Sequence, residues 1–123
     1  MFDKRLVLET LQLINESLEM ITRRTQHIAS VDDFYLSEAG MILLDSICMK
    51  LIAVGESIKN VDKITNKQLL YHYPEVPWKD VMGLRDIIVH HYFDVDGAQI
   101  FKTVKHDVPY LMKTLDKMIQ ELQ

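Results

Sequence analysis

Along the opening stretch of the chain, apolar residues recur at alternating steps of about four and three: Val7, Leu11, Ile14, Leu18, Ile21 and Ile28, with Thr25 filling the one gap. A helix turning every 3.6 residues puts such positions on one face, so the spacing predicts a long first helix over residues 3–29. Leu6, Leu13 and Met20 widen the stripe, and its steps suit nearly parallel bundle packing. Ser30, Asp32 and Asp33 then offer side-chain oxygens to the free N–H groups of a second helix. From Met41 to Val54 that helix is apolar almost all round, broken only by Asp45, Ser46 and Lys50. Such a helix must be covered on more than one side. It is expected at the centre of the bundle, with part of it buried by a second subunit.

Residues 61–73 mix Asn, Asp, Thr and Lys with a short apolar cluster and read as a loop and a short third helix. Pro74 and Pro77 bracket a break, and Pro77 suits the first turn of a fourth helix, where its missing N–H is not needed. That helix is expected to run through Trp78, Val81, Met82, Ile88 and Val89 to about Tyr92, with a turn over residues 93–97. The first helix's spacing returns at Phe101, Val104, Val108, Leu111, Leu115, Met118 and Leu122, with Pro109 expected to kink or break that helix. No segment alternates with the period of two that a half-buried strand shows. The fold class is therefore all-α, an up-and-down bundle of about four to five helices forming one domain over residues 1–123.

Composition narrows the function classes. A formal charge of −4 argues against a protein that coats nucleic acid through a broad basic surface, while leaving room for a local site that handles a few phosphates. The lone Cys48 lies in an apolar helical run and is expected to be a buried small side chain. No apolar signal-peptide core opens the chain and no uncharged stretch could span a bilayer, so a cytoplasmic location is expected. The five histidines show no metal-ligand spacing, and no cofactor is expected.

The fourth helix carries the chemistry. On a helical wheel Arg85 falls near the middle of an apolar arc, where an arginine needs a partner. It is expected either to be a buried structural arginine paired with Glu56 or to line a functional cleft. Gly83 sits inside the same helix at a cost of about 1 kcal/mol, which predicts a close approach by a partner helix or a ligand. Asp86 and His90 are four apart on the polar side, so the carboxylate can orient the imidazole for acid–base work or simply form a surface ion pair. His91 borders the apolar arc and reads as a half-buried side chain.

The run Arg85-Asp86-Ile87-Ile88-Val89-His90-His91-Tyr92 resembles the Arg-x4-His-x-Tyr signature of HepT-like HEPN proteins. Pro77-Trp78-Lys79-Asp80, Phe93-Asp94-Val95-Asp96 and Ala53-Val54-Gly55-Glu56-Ser57 carry the resemblance across nearly the whole chain. One departure is Asp86, where family members often have asparagine; the polar role is kept and the charge changes.

The resemblance implies a homodimer whose two motifs meet at a shared cleft and cut RNA without a metal, as the toxin of a toxin–antitoxin pair. It assigns catalysis to Arg85 and His90, with Asp86 and Tyr92 in support. It also implies a minimal nucleotidyltransferase antitoxin that attaches AMP to Tyr92, a residue whose place in the arc equally suits a core aromatic. The wheel sets Arg85 and His90 about 140° apart, so either the cleft straddles the helix or the partner subunit supplies one group. The alternative to a ribonuclease is a non-catalytic HEPN module that binds nucleotide, RNA or its partner protein.

Overall fold

The computed structural model describes residues 2–90 and 95–123. Helix α1 (Lys4–Arg24) starts where the Asp3 carboxylate accepts the Leu6 N–H at 3.1 Å. A four-residue helix α2 (Asp32–Tyr35) leads into α3 (Glu38–Ile64), capped by Ser37. A single 3₁₀ turn (Leu70–His72) precedes the short helices α4 (Trp78–Met82) and α5 (Leu84–His90). The last stretch is helical from Gly97 to Leu122: α6 (Gly97–Lys102), a π-helical turn (Thr103–Asp107) and α7 (Val108–Leu122). No strand occurs among the described residues. None of their helices is long and apolar enough to cross a membrane.

The periodic stripe of α1 is the face that packs: Val7, Leu11, Leu18 and Ile21 are completely buried and Ile14 nearly so. Each such side chain contributes about 1.5–3 kcal/mol by leaving water. Leu6 and Leu13 do not join it; both stand exposed. The helix ends earlier than the stripe does. After Arg24 the buried Thr25 hydroxyl donates to the Ile21 carbonyl, and Ile28 reaches the core from the following turn. Helices α1 and α7 lie antiparallel, as the pairs Asn15–Asp116 and Thr22–Met112 show.

Helix α3 is central, packing against α1, α2, α4 and α5. Its start differs from the expectation, because residues 30–33 lead into α2 instead. The Asp33 carboxylate accepts the N–H groups of Ala29 and Ser30, while α3 begins afresh at Ser37. Its end differs too. The helix continues through Ile64, and the expected third helix is only the 3₁₀ turn. Pro109 interrupts the last α-helix, as expected, without ending the helical path: it stands in the first turn of α7, just after the π turn. It has no N–H for the Lys105 carbonyl, and its ring would crowd that carbonyl in a regular α-helix; the π turn immediately before it absorbs both problems. Cys48 is buried as expected, its thiol pKa pushed up to about 11 by desolvation and then by nearby Asp45, which makes it a poor nucleophile.

Candidate functional site

The expected fourth helix is two helices. Gly83 closes α4, its N–H shared by the carbonyls of Lys79 and Asp80, and α5 starts afresh at Leu84. Among the described residues, a β-carbon at Gly83 would meet only the Lys79 and Asp80 carbonyls, so no other described element approaches there. The close approach is at Gly55 on α3, where a β-carbon would stand 2.7 Å from the Val81 carbonyl oxygen and 3.4 Å from the Leu84 Cβ. Gly55 thus lets the α4–α5 junction sit directly on the α3 backbone. Trp78 anchors the other end of α4, its indole N–H donating to the Tyr73 carbonyl at 2.8 Å.

The structure overturns the placement of Arg85 in the middle of an apolar arc. On α5 only Ile88 is buried, Leu84 is half-buried, and Arg85, Asp86 and His90 all face outward. Glu56 is the partner of Arg85, at 3.9 Å from Nε, but the pair is loose and its side chains are 57% and 42% exposed. The other Glu56 oxygen lies 3.4 Å from the Lys59 ammonium. Arg85 is therefore a surface cation lightly held by a shared carboxylate, not a buried structural ion.

Asp86 and His90 stay four apart on one helix, as their spacing requires. Between them stand Ile87 and Val89, apolar yet 45% and 44% exposed. The expectations for His91 and Tyr92, and the first two residues of the expected turn, fall outside the described residues. Gly97, placed in that turn, instead opens α6, capped by Asp96.

Residues 95–97 are fixed by a side chain to which the sequence drew no attention. The Tyr35 hydroxyl accepts the Gly97 N–H at 3.0 Å and donates to the Val95 carbonyl at 3.2 Å. A β-carbon at Gly97 would run into the Tyr35 ring. Tyr35 thus ties the chain soon after the motif to the bundle. Its only trace in the sequence is the glycine it needs opposite. A depression of about 300 Å³ lies between α5 and α6, lined by Ile87, Ile88, Val95, Asp96, Gln99 and Ile100. No group of three or more potential metal ligands is found among the described residues.

A family model described as "Ribonuclease HepT-like" matches residues 14–118. A protein described as "Probable ribonuclease HepT" from Thermococcus cleftensis is 32% identical over 115 residues, covering 94% of this chain and 97% of that protein. A Caldanaerobacter subterraneus protein described as a "Putative RNase" is 29% identical, covering 90% of this chain and 92% of that one. A Methanocaldococcus jannaschii protein described as "Gamma-glutamylcyclotransferase and putative RNase" is 33% identical over 89% of this chain, which spans only 46% of that longer protein. The chain likewise spans 60% and 58% of two other relatives from that organism. No solved structure matches the chain.

Proposed function

The chain belongs to the HepT-like ribonuclease family, and from that premise we propose that it is the toxin of a toxin–antitoxin pair, a metal-independent endoribonuclease working through Arg85 and His90. The observation that carries this reading is the outward placement of Arg85, Asp86 and His90 on one short helix, with Arg85 held only loosely by Glu56. A buried, fully paired arginine could not reach a phosphate. This one can exchange a carboxylate for a phosphate at little cost, since exposed ion pairs contribute only about 0–1 kcal/mol.

In the proposed reaction a base removes the proton of a ribose 2′-hydroxyl, and the oxygen attacks the adjacent phosphorus. The bond to the 5′-oxygen breaks and an acid protonates that leaving oxygen, giving a 2′,3′-cyclic phosphate and a 5′-hydroxyl. His90 supplies a proton-transfer group, and Arg85 stabilises the negative charge that builds on the phosphate. Asp86, one turn before His90, orients the imidazole. The motif supplies one such histidine per chain, so the reading requires two copies that bring two His90 residues to one cleft. The exposed apolar side chains Ile87 and Val89, with Met41, Ile42 and Met49 on α3, are surface that a second copy would cover. A minimal nucleotidyltransferase antitoxin attaching AMP to Tyr92 would switch the site off by filling it with a bulky anion.

The test is His90→Ala. It should abolish growth inhibition and lower RNA cleavage by about 10²- to 10⁴-fold, with the fold and the dimer intact. His91→Ala should keep most of the activity, and wild-type cleavage should persist in excess EDTA and leave cyclic phosphate ends. Undiminished cutting by His90→Ala would hand the assignment to a non-catalytic module that binds RNA, nucleotide or its partner protein, which the net charge of −4 suits better.

A further inference from the structure

Two adjoining concavities at the C-terminal end of α3 take no part in that chemistry. One, of about 380 Å³, is lined by Lys59, Asp62, Lys63, Asn66 and Lys67. The other, of about 560 Å³, is lined by Leu70, Tyr71, Pro74, Trp78 and Met82 and shares Asp62 and Lys67 with the first. The first brings together three lysines and Asp62, with Lys59 also 3.4 Å from the Glu56 carboxylate, on a chain whose net charge is −4. The second is apolar and aromatic, and Tyr71 stands 81% exposed at it, with the His72 ring edge-on at 5.8 Å. Cations beside an exposed aromatic ring match the two halves of a nucleotide, a phosphate and an unstacked base.

The backbone adds an independent sign. Asn66 and Lys67 both hold left-handed conformations, with φ of 53° and 62°. The turn is closed by the Asn66 N–H on the Lys63 carbonyl at 3.1 Å and the Lys67 N–H on the Asp62 carbonyl at 2.8 Å. Glycine suits such a helix end and asparagine tolerates it, so the strained residue is Lys67. Strain of this kind collects where a side chain is used, and here it keeps a lysine at the seam of the two concavities. The patch is also continuous with the motif, because the Glu56 carboxylate that holds Arg85 also holds Lys59.

We propose that this end of α3 is a subsite for single-stranded RNA, in which Lys59, Lys63 and Lys67 take backbone phosphates and Tyr71 stacks an unpaired base beside Trp78 and Met82. The proposal rests on the ribonuclease reading above, for which it supplies the grip on substrate away from the bond that is cut.

The experiment is fluorescence-anisotropy titration of a short unstructured oligoribonucleotide with the His90→Ala protein, repeated over a range of salt. Combining Lys59→Ala, Lys63→Ala and Lys67→Gly should flatten the dependence of log affinity on log salt by about 0.7 per lysine removed. Tyr71→Ala should weaken binding about 5- to 150-fold at fixed salt. Lys67→Gly alone should weaken binding while keeping or raising the melting temperature, a combination that a folding defect cannot produce. The subsite is overturned if the parent protein binds no RNA, or if the lysine and Tyr71 variants keep its affinity and salt slope. Cleavage of the same oligonucleotide by the His90-intact protein tests the other reading separately. Loss of binding in the variants without any cleavage by wild type would uphold the subsite and remove the reaction. Cleavage with unchanged binding in the variants would do the reverse.

Discussion

Helix α1 and helix α5 carry comparable shares of apolar residues and use them in opposite ways. In α1 the apolar stripe is sealed, with Val7, Leu11, Leu18 and Ile21 at 0% exposure. In α5 only Ile88 is buried, while Ile87 and Val89 remain nearly half exposed. The first helix has its neighbours within the chain, α3 along one side and α7 along another. The second rests mainly on α3, through a seat that Gly55 makes possible. A closely packed scaffold thus holds a lightly packed helix, and under the proposed function its exposed face is where Arg85 and His90 would meet substrate.

This contrast can be broken at its strong side first. Leu11→Ala should lower stability by about 2–5 kcal/mol, the range for a fully enclosed leucine, whereas Ile87→Ala should cost far less. Urea unfolding of the two variants checks this, and equal losses would mean that α5 is packed as tightly as the core. At the seat, Gly55→Ala should cost about 1–3 kcal/mol, because its β-carbon must push the Val81 carbonyl away. It should lower activity as well, through displacement of the α4–α5 junction, while leaving helical content by circular dichroism near wild type. Full activity with an unchanged melt would show that the approach at Gly55 does not matter. The smallest effect on stability is expected at the motif itself. Arg85→Ala should change unfolding free energy by no more than about 1 kcal/mol, since the pair with Glu56 is exposed, yet it should remove cleavage. A large destabilisation would return Arg85 to the role of a structural arginine.

Arg85 and Gly83 show where the sequence is read easily and where it is not. The pairing of Arg85 with Glu56 was legible, because an isolated arginine beside apolar residues needs a carboxylate and Glu56 lies next to Gly55. Burial was one of the two placements the sequence left open for Arg85, and the fold excludes that one: its side chain stands exposed. Gly83 ends α4 and α5 follows it, where one helix from Trp78 to Tyr92 is expected. The glycine is recognisable as costly; among the described residues it serves as a helix end, and the close approach between elements occurs at Gly55. Pro109 is similar: its lack of an N–H is plain, whereas the π turn that accommodates it is a cooperative answer of the preceding residues.

By itself the sequence determined the all-helical class, the buried faces of α1 and the last helix, and the Arg85-x4-His90 spacing. These follow from local geometry, because residues three and four apart on a helix share a face whatever surrounds them. Only the tertiary structure decided that Arg85 faces outward, that Tyr35 secures Val95 and Gly97, and that the lysines at the end of α3 lie beside Tyr71. Those relations join residues far apart in the chain or separated by helix breaks. The contacts that set them come from the packing of whole elements, and no repeat along the sequence encodes them.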